Sequence, residues 1–191
     1  MRSATSKLLR EREQNRKRVD SLLLDATVKF RDPGNGHDPD TEHSVRMNPN
    51  DPNRYQALET VTFKPGLSGS ALDAAVGHEG SHVADAQDFV NAISPTGAMD
   101  QSKNLTAYQT ELRAYMVTQS ILASENVKLP YGNCAMGTPC MFGAGIMGAQ
   151  VTQTINQLLA NPANRYGTAP NYGVTPANPG PVLYPILTTP H

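Results

Sequence analysis

The stretch "SALDAAVGHEGSHVADAQDFVNAI", residues 70–93, decides the fold. Its apolar residues recur every three or four positions, which is the period of a helix packed on one side. At about 100° per residue, Leu72, Val76, Val83 and Val90 form one apolar band, and Ala71, Ala75, Ala86, Phe89 and Ile93 form a second beside it. Asp73, Gln87, Asp88 and Asn91 fall on the opposite strip. Ser70 and Asp73 stand at capping-box spacing and predict the helix start. His78, Glu79 and His82 lie inside the apolar arc, so this helix carries three titratable groups toward the interior.

Histidines at i and i+4 stand one turn apart on one face and can direct a ring nitrogen at the same ion. Glu79 is rotated by about 100° from His78, off the ion but beside a water held there. The pattern H-E-x-x-H thus offers two ligands and a base that is not a ligand, and it predicts a zinc ion, Zn2+. A lone buried histidine is more often a hydrogen-bonded core residue. The pair, with Glu79 between them, favours the metal.

A catalytic zinc needs a third protein ligand and an open position. Thr106 and Gln109, again at capping-box spacing, open a second helix over residues 105–124. Its inner stripe is Ala107, Tyr108, Ala114, Tyr115, Thr118 and Leu122, with Glu111 in the centre. A carboxylate on an apolar face costs free energy unless something pairs with it, so Glu111 is the candidate third ligand. Asp85 lies about 10 Å of helix rise beyond His78, too far for its short side chain to join. It suits instead the role of accepting the second N–H of His82. Tyr115 and Tyr108, on either side of Glu111, are candidate donors to a developing oxyanion, with core packing an equal alternative for both. His37 and His43 fall in a polar loop and are poorer ligands.

Around these helices, residues 5–25 read as a charged N-terminal helix. "TVKFRD", "HSVRMNP" and "ALETVTFKPG" alternate apolar and polar residues, with Val28, Phe30, Val45, Met47, Val61 and Phe63 as inward positions. They predict a small antiparallel or mixed sheet within residues 27–65, packed on the two central helices. A third helix is expected in "GIMGAQVTQTINQLLAN". The segment 161–191, rich in Pro and Gly, reads as an extended tail pinned by Tyr166, Tyr172, Val182, Leu183 and Ile186. The expected class is α+β, one domain over residues 1–160 followed by that tail.

The 191 residues carry a net charge of −1, which predicts no attraction to nucleic acid or to an anionic membrane. Residues 1–31 are basic, with nine Lys/Arg against four Asp/Glu, whereas Arg165 is the sole charged side chain after Lys128 apart from histidine. No run reaches the 18 or so apolar residues of a membrane span, and no signal-peptide h-region is present. Cys134 and Cys140, in "NCAMGTPC", have the spacing of a small disulfide loop and not of a metal site.

"HEGSH" followed by "ELRAY" resembles the zincin metallopeptidases of the glutamate-ligand type, and "HEGSHVAD" is similar to bacterial toxin proteases with the pattern H-E-x-G-H-x-x-D. Residues 58–133 are similar in layout to bacterial effector and Rhs-associated zinc peptidases. Ser81 stands where the usual glycine precedes the second histidine, with Gly80 one position earlier. The resemblance implies a zincin-like fold and a zinc metallopeptidase, with His78, His82 and Glu111 as ligands, Glu79 as base, and a protein or peptide substrate. It also implies an effector or toxin context, in which the chain is part of a larger exported polypeptide. The alternative from a different class is a non-catalytic, zinc-stabilised binding module.

Overall fold

The computed structural model describes residues 26–30, 40–94, 96, 98–134, 137–164 and 172–184. The expected N-terminal helix, His37, Tyr166 and Ile186 lie outside them. The architecture is α+β. Strands β1 (Ala26–Phe30), β2 (Asp40–Asn48) and β3 (Asp51–Phe63) form a sheet in the order β1-β3-β2. β1 runs parallel to β3 and β2 antiparallel to it, so the sheet is mixed. β2 and β3 join through a tight turn in which the Asn48 and Asp51 side chains accept from the backbone N–H groups of Asn50 and Asn53. The strands reach well beyond the alternating stretches, and His43, expected in a loop, lies within β2.

The helices are α1 (Gly69–Asn91), α2 (Ala107–Ser124) and α3 (Ala149–Ala160). The capping box of α2 forms as expected, with Gln109 N–H donating to Thr106 Oγ1 and Thr106 N–H to Gln109 Oε1. The one expected at Ser70 does not: Ser68 is the N-cap of α1 and makes no side-chain cap bond. A hairpin of β4 (Lys128–Asn133) and β5 (Pro139–Gly143) follows α2, and the Cys134–Cys140 disulfide closes its turn.

α1 lies between two layers. On one side Ala75 and Val83 pack against Val61 and Phe63, and Ala86, Phe89 and Val90 pack against Ala57. The sheet therefore rests on α1, and α2 stands behind that helix, not beside it under the sheet as expected. On the far side of α2 are α3 and the hairpin, sharing a core of Tyr115, Leu122, Phe142, Ile155, Leu158 and Leu159. Gln119 ties α2 to the hairpin by accepting from Gly143 N–H and donating to the Gly143 and Ile146 carbonyls. Val28 and Phe30 of β1 stay 40% and 66% exposed, and Met47 43%, so these three do not join the core.

Residues 172–184 pack on the domain. Gly173 and Val174 donate N–H to Leu159 O, and the Pro181 and Pro179 carbonyls accept the N–H groups of Ala107 and Tyr108 at the start of α2. Tyr184 is buried against Phe89, and Asn104 holds its backbone. Among the described residues, no helix is long and apolar enough to cross a membrane.

Candidate metal centre

The two helices meet at small residues. Gly77, the residue before His78, faces α2, and a Cβ there would run into Ile121 Cδ1 and stand 3.0 Å from Val117 Cγ1. That close approach brings Glu111 of α2 onto the histidine face of α1. His78 Nε2 lies 3.5 Å from Glu111 Oε2, and His82 Nε2 lies 3.8 Å from Glu111 Oε1. One ligand atom from each of the three lies within 4.8 Å of the others.

These separations fit an ion. Charge-assisted N–H···O⁻ bonds close to about 2.8 Å, whereas tetrahedral donors about 2.0 Å from a zinc stand about 3.3 Å apart. The donor chemistry agrees. Burial pushes the His82 imidazolium down to about 4, with the charges of His78 and His43 adding to the effect and Glu111 opposing it. At neutral pH His82 is therefore an uncharged imidazole with a lone pair to offer.

The remaining ring nitrogens set the tautomers. His82 Nδ1 lies 3.0 Å from Thr110 Oγ1, and Thr110 donates to Asp85 Oδ2 at 2.8 Å. Asp85 Oδ1 pairs with Arg113 at 2.9 Å. With Nδ1 protonated, the chain runs His82 to Thr110 to Asp85 and leaves Nε2 bare toward Glu111. Asp85 thus belongs to the support of His82, but Thr110 stands between them where direct contact was expected. Burial raises the Asp85 carboxyl above its usual range, against the opposing Thr110 hydrogen bond and Arg113 charge. On the other ligand, His78 Nδ1 lies 3.3 Å from Thr118 Oγ1.

Glu79 is buried, and its Oε2 accepts a 2.6 Å hydrogen bond from Thr41 of β2. The sheet therefore holds the carboxylate beside the triad. Tyr115 packs its ring at 4.6 Å from the His78 ring, and its hydroxyl lies 2.6 Å from that of Tyr172. Tyr108 points elsewhere: its hydroxyl donates to Asn156 of α3, which commits it to the contact between α2 and α3.

Sequence reading missed Thr41 and Thr110, and set His43 in a loop where it lies on a strand. Thr110 precedes Glu111 and has no pattern of its own. Thr41 and His43 alternate with Glu42 and Ser44, a period-two signal hidden because the inward residues are polar. Behind the site, Glu59 of β3 is 3% exposed, and burial raises its carboxyl to about 8. Neither of its oxygens is hydrogen-bonded among the described residues. Comparison with protein-family models, curated proteins and solved structures finds no match, so the centre is defined by its own geometry.

Proposed function

We propose that this chain is a zinc-dependent metallopeptidase of the zincin kind, hydrolysing peptide bonds of a protein or peptide substrate. The supporting observation is the convergence of His78, His82 and Glu111 with Glu79 held to one side by Thr41. When bound, zinc supplies Lewis acidity to a water and to the scissile carbonyl.

The protein's own groups do the rest. With Nδ1 protonated on each ring, Thr110 and Thr118 accept those protons and so aim both Nε2 lone pairs inward. Thr41 fixes the rotation of the Glu79 carboxylate, which takes the proton of the attacking water and delivers it to the departing amine. Tyr115, against the His78 ring, offers a hydroxyl to the carbonyl oxygen, and Tyr172 shares in its hydrogen bond. The resemblance to effector and toxin peptidases supports a setting in a larger exported polypeptide and a protein substrate, and the net charge of −1 supports neither nucleic acid nor an anionic membrane as partner.

The test pairs metal content with hydrolysis. Purified protein is expected to carry about one equivalent of zinc. Glu79→Gln should keep that zinc and lose about 10³-fold or more of its cleavage of an unstructured protein such as casein. Equal cleavage by both proteins removes Glu79 from the chemistry.

Deep burial favours a second reading, a non-catalytic zinc-stabilised module, because the His78, His82 and Glu111 side chains are only 14%, 13% and 5% exposed. That reading needs a fourth protein ligand. Among the described residues only three groups converge, which favours the enzyme.

A further inference from the structure

α3 buries Val151, Ile155, Leu158 and Leu159 and leaves its other side open. That side, the hairpin and the segment after α3 enclose a groove of about 1020 Å³, across α2 from the metal centre. Thr152, Gln153, Asn156 and Gln157 line it from α3, Asn133 from β4 and Thr175 from the later segment. Between them stand small residues, among them Ala149, Ala160 and Gly137. No lining residue is charged and none is aromatic. A phosphate backbone needs cations, and a base or a sugar ring needs an aromatic face to stack on.

The polar groups of the groove are set in advance. Tyr108 donates to Asn156 Oδ1 at 2.8 Å, which fixes that amide and leaves its NH2 to donate. Thr175 Oγ1 accepts from Asn178 N–H, which leaves the hydroxyl proton to donate. Gln153 and Gln157 are exposed and four residues apart, so they stand about 6 Å apart along α3. In an extended polypeptide, groups on one side repeat every two residues, at about 6.7 Å. A neutral peptide main chain presents donors and acceptors at the spacing of these amides.

Two printed contacts tie the groove to the metal centre. Tyr108, whose hydroxyl meets Asn156, lies one turn before Glu111 on α2. Tyr172 meets the Tyr115 hydroxyl at 2.6 Å, and the Tyr115 ring lies 4.6 Å from that of His78. Thr175 is three residues beyond Tyr172, at most about 11 Å along the chain.

We propose that this groove is an exosite that holds an uncharged, extended stretch of the protein substrate, away from the bond to be cut. This rests on the hydrolytic reading above. Hydrogen bonds made there are alike in the ground state and the transition state, so they act on KM and not on kcat.

A fluorescein-labelled dodecapeptide of Ala, Ser, Thr and Gln is titrated onto the zinc-loaded full chain carrying Glu79→Gln, which leaves it uncut. Adding Gln153→Ala with Gln157→Ala should weaken its binding about tenfold. Ala160→Trp, which fills the groove from an exposed position, should weaken it further. Zinc content should hold, and acetohydroxamate, which needs only the ion and its immediate neighbours, should bind to within about threefold. With Glu79 restored, both sets should raise KM for casein about tenfold and leave kcat unchanged.

A peptide that does not bind, or binds equally to all these proteins, overturns the proposal. So does maltohexaose that displaces the peptide at equal concentration, by making the groove a sugar site. Equal weakening of acetohydroxamate overturns it by making the groove part of the metal's support. Lost peptide binding with an unchanged KM for casein overturns the substrate assignment and leaves the hydrolytic reading standing. An unaltered protein that takes up no zinc and leaves casein uncut overturns both.

Discussion

His78 and His82 hang one turn apart on the same helix, yet His82 is backed by charge and His78 by rings. Behind His82 the chain runs through Thr110 to Asp85 and Arg113, and burial and the charges of Glu59 and Asp85 push the Tyr184 hydroxyl up. Behind His78 stand one hydroxyl, Thr118, and the Tyr115 ring, itself stacked 5.4 Å from Phe142 and set edge-on to Tyr131. Both arrangements aim a nitrogen at one point. They differ in what disturbs them: a charged relay responds to the loss of a charge or a change in pH, whereas stacked rings respond to changes of volume.

The contrast breaks most visibly at Asp85. Asp85→Ala leaves Thr110 without its acceptor and Arg113 without its pair. Zinc affinity, measured by competition with a chelator, should fall about 100-fold. Stability should fall by about 3 kcal/mol, the low end for a broken buried pair because Arg113 is half exposed and can rehydrate. Unchanged affinity would mean that the relay does not act on the metal.

Glu59 tests the charged side through pH. Its folded-state value of about 8 lies above the ordinary 4.5, so the fold favours the neutral carboxyl. Between those two values the native state binds more protons than the unfolded chain, and stability must fall as pH rises through that window. Glu59→Gln stays neutral throughout. Relative to the unaltered protein it should gain about 4 kcal/mol between pH 5 and pH 9, read from denaturant midpoints. A difference that is the same at both pH values would show that Glu59 does not titrate upon folding.

The ring-backed side should instead answer to size. Gly77→Ala adds one methyl and no charge, where Ile121 and Val117 already fill the space. Alanine's helix preference over glycine is worth about 1 kcal/mol, but overpacking at this crossing costs about 1–3 kcal/mol. A net loss of about 1 kcal/mol is expected, together with weaker zinc binding because α2 is pushed away from His78. A variant more stable than its parent, with unchanged zinc binding, would show that the helices can part without disturbing the ligands.

Much of the centre was legible because it obeys helical geometry. His78 and His82 at i and i+4, and Glu111 alone on an apolar stripe, needed only the period of 3.6 and the cost of burying a carboxylate. The α2 start was legible at Thr106 and Gln109 because both halves of the box form. The hairpin was not, because its strands contain Pro130 and Gly132, residues that argue against a strand, and its register shifts between Pro130 and Asn133. β2 was read too short because its inward positions Thr41 and His43 are polar and give no apolar alternation. Asp85 was placed on the right flank one group too close, since no sequence rule announces that a threonine on another helix will stand between an aspartate and its histidine.

The smallest expected effect is also the most direct comparison of the two sides. Thr110→Val and Thr118→Val each remove one hydroxyl facing an Nδ1 and keep its shape. Thr110 passes the influence of a carboxylate to His82 across bonds of 3.0 and 2.8 Å, whereas Thr118 meets His78 at 3.3 Å. A hydrogen bond that communicates with a charged group is worth roughly twice a neutral one. Zinc affinity should therefore fall about tenfold in Thr110→Val and less than about threefold in Thr118→Val. The Tyr115 ring still limits His78 to much the same orientation in the second variant, whereas in the first the His82 ring keeps an edge-on contact with the His78 ring at the longer distance of 5.0 Å. Equal losses would mean that the histidines are supported alike, and that the charge behind His82 serves the fold and not the metal.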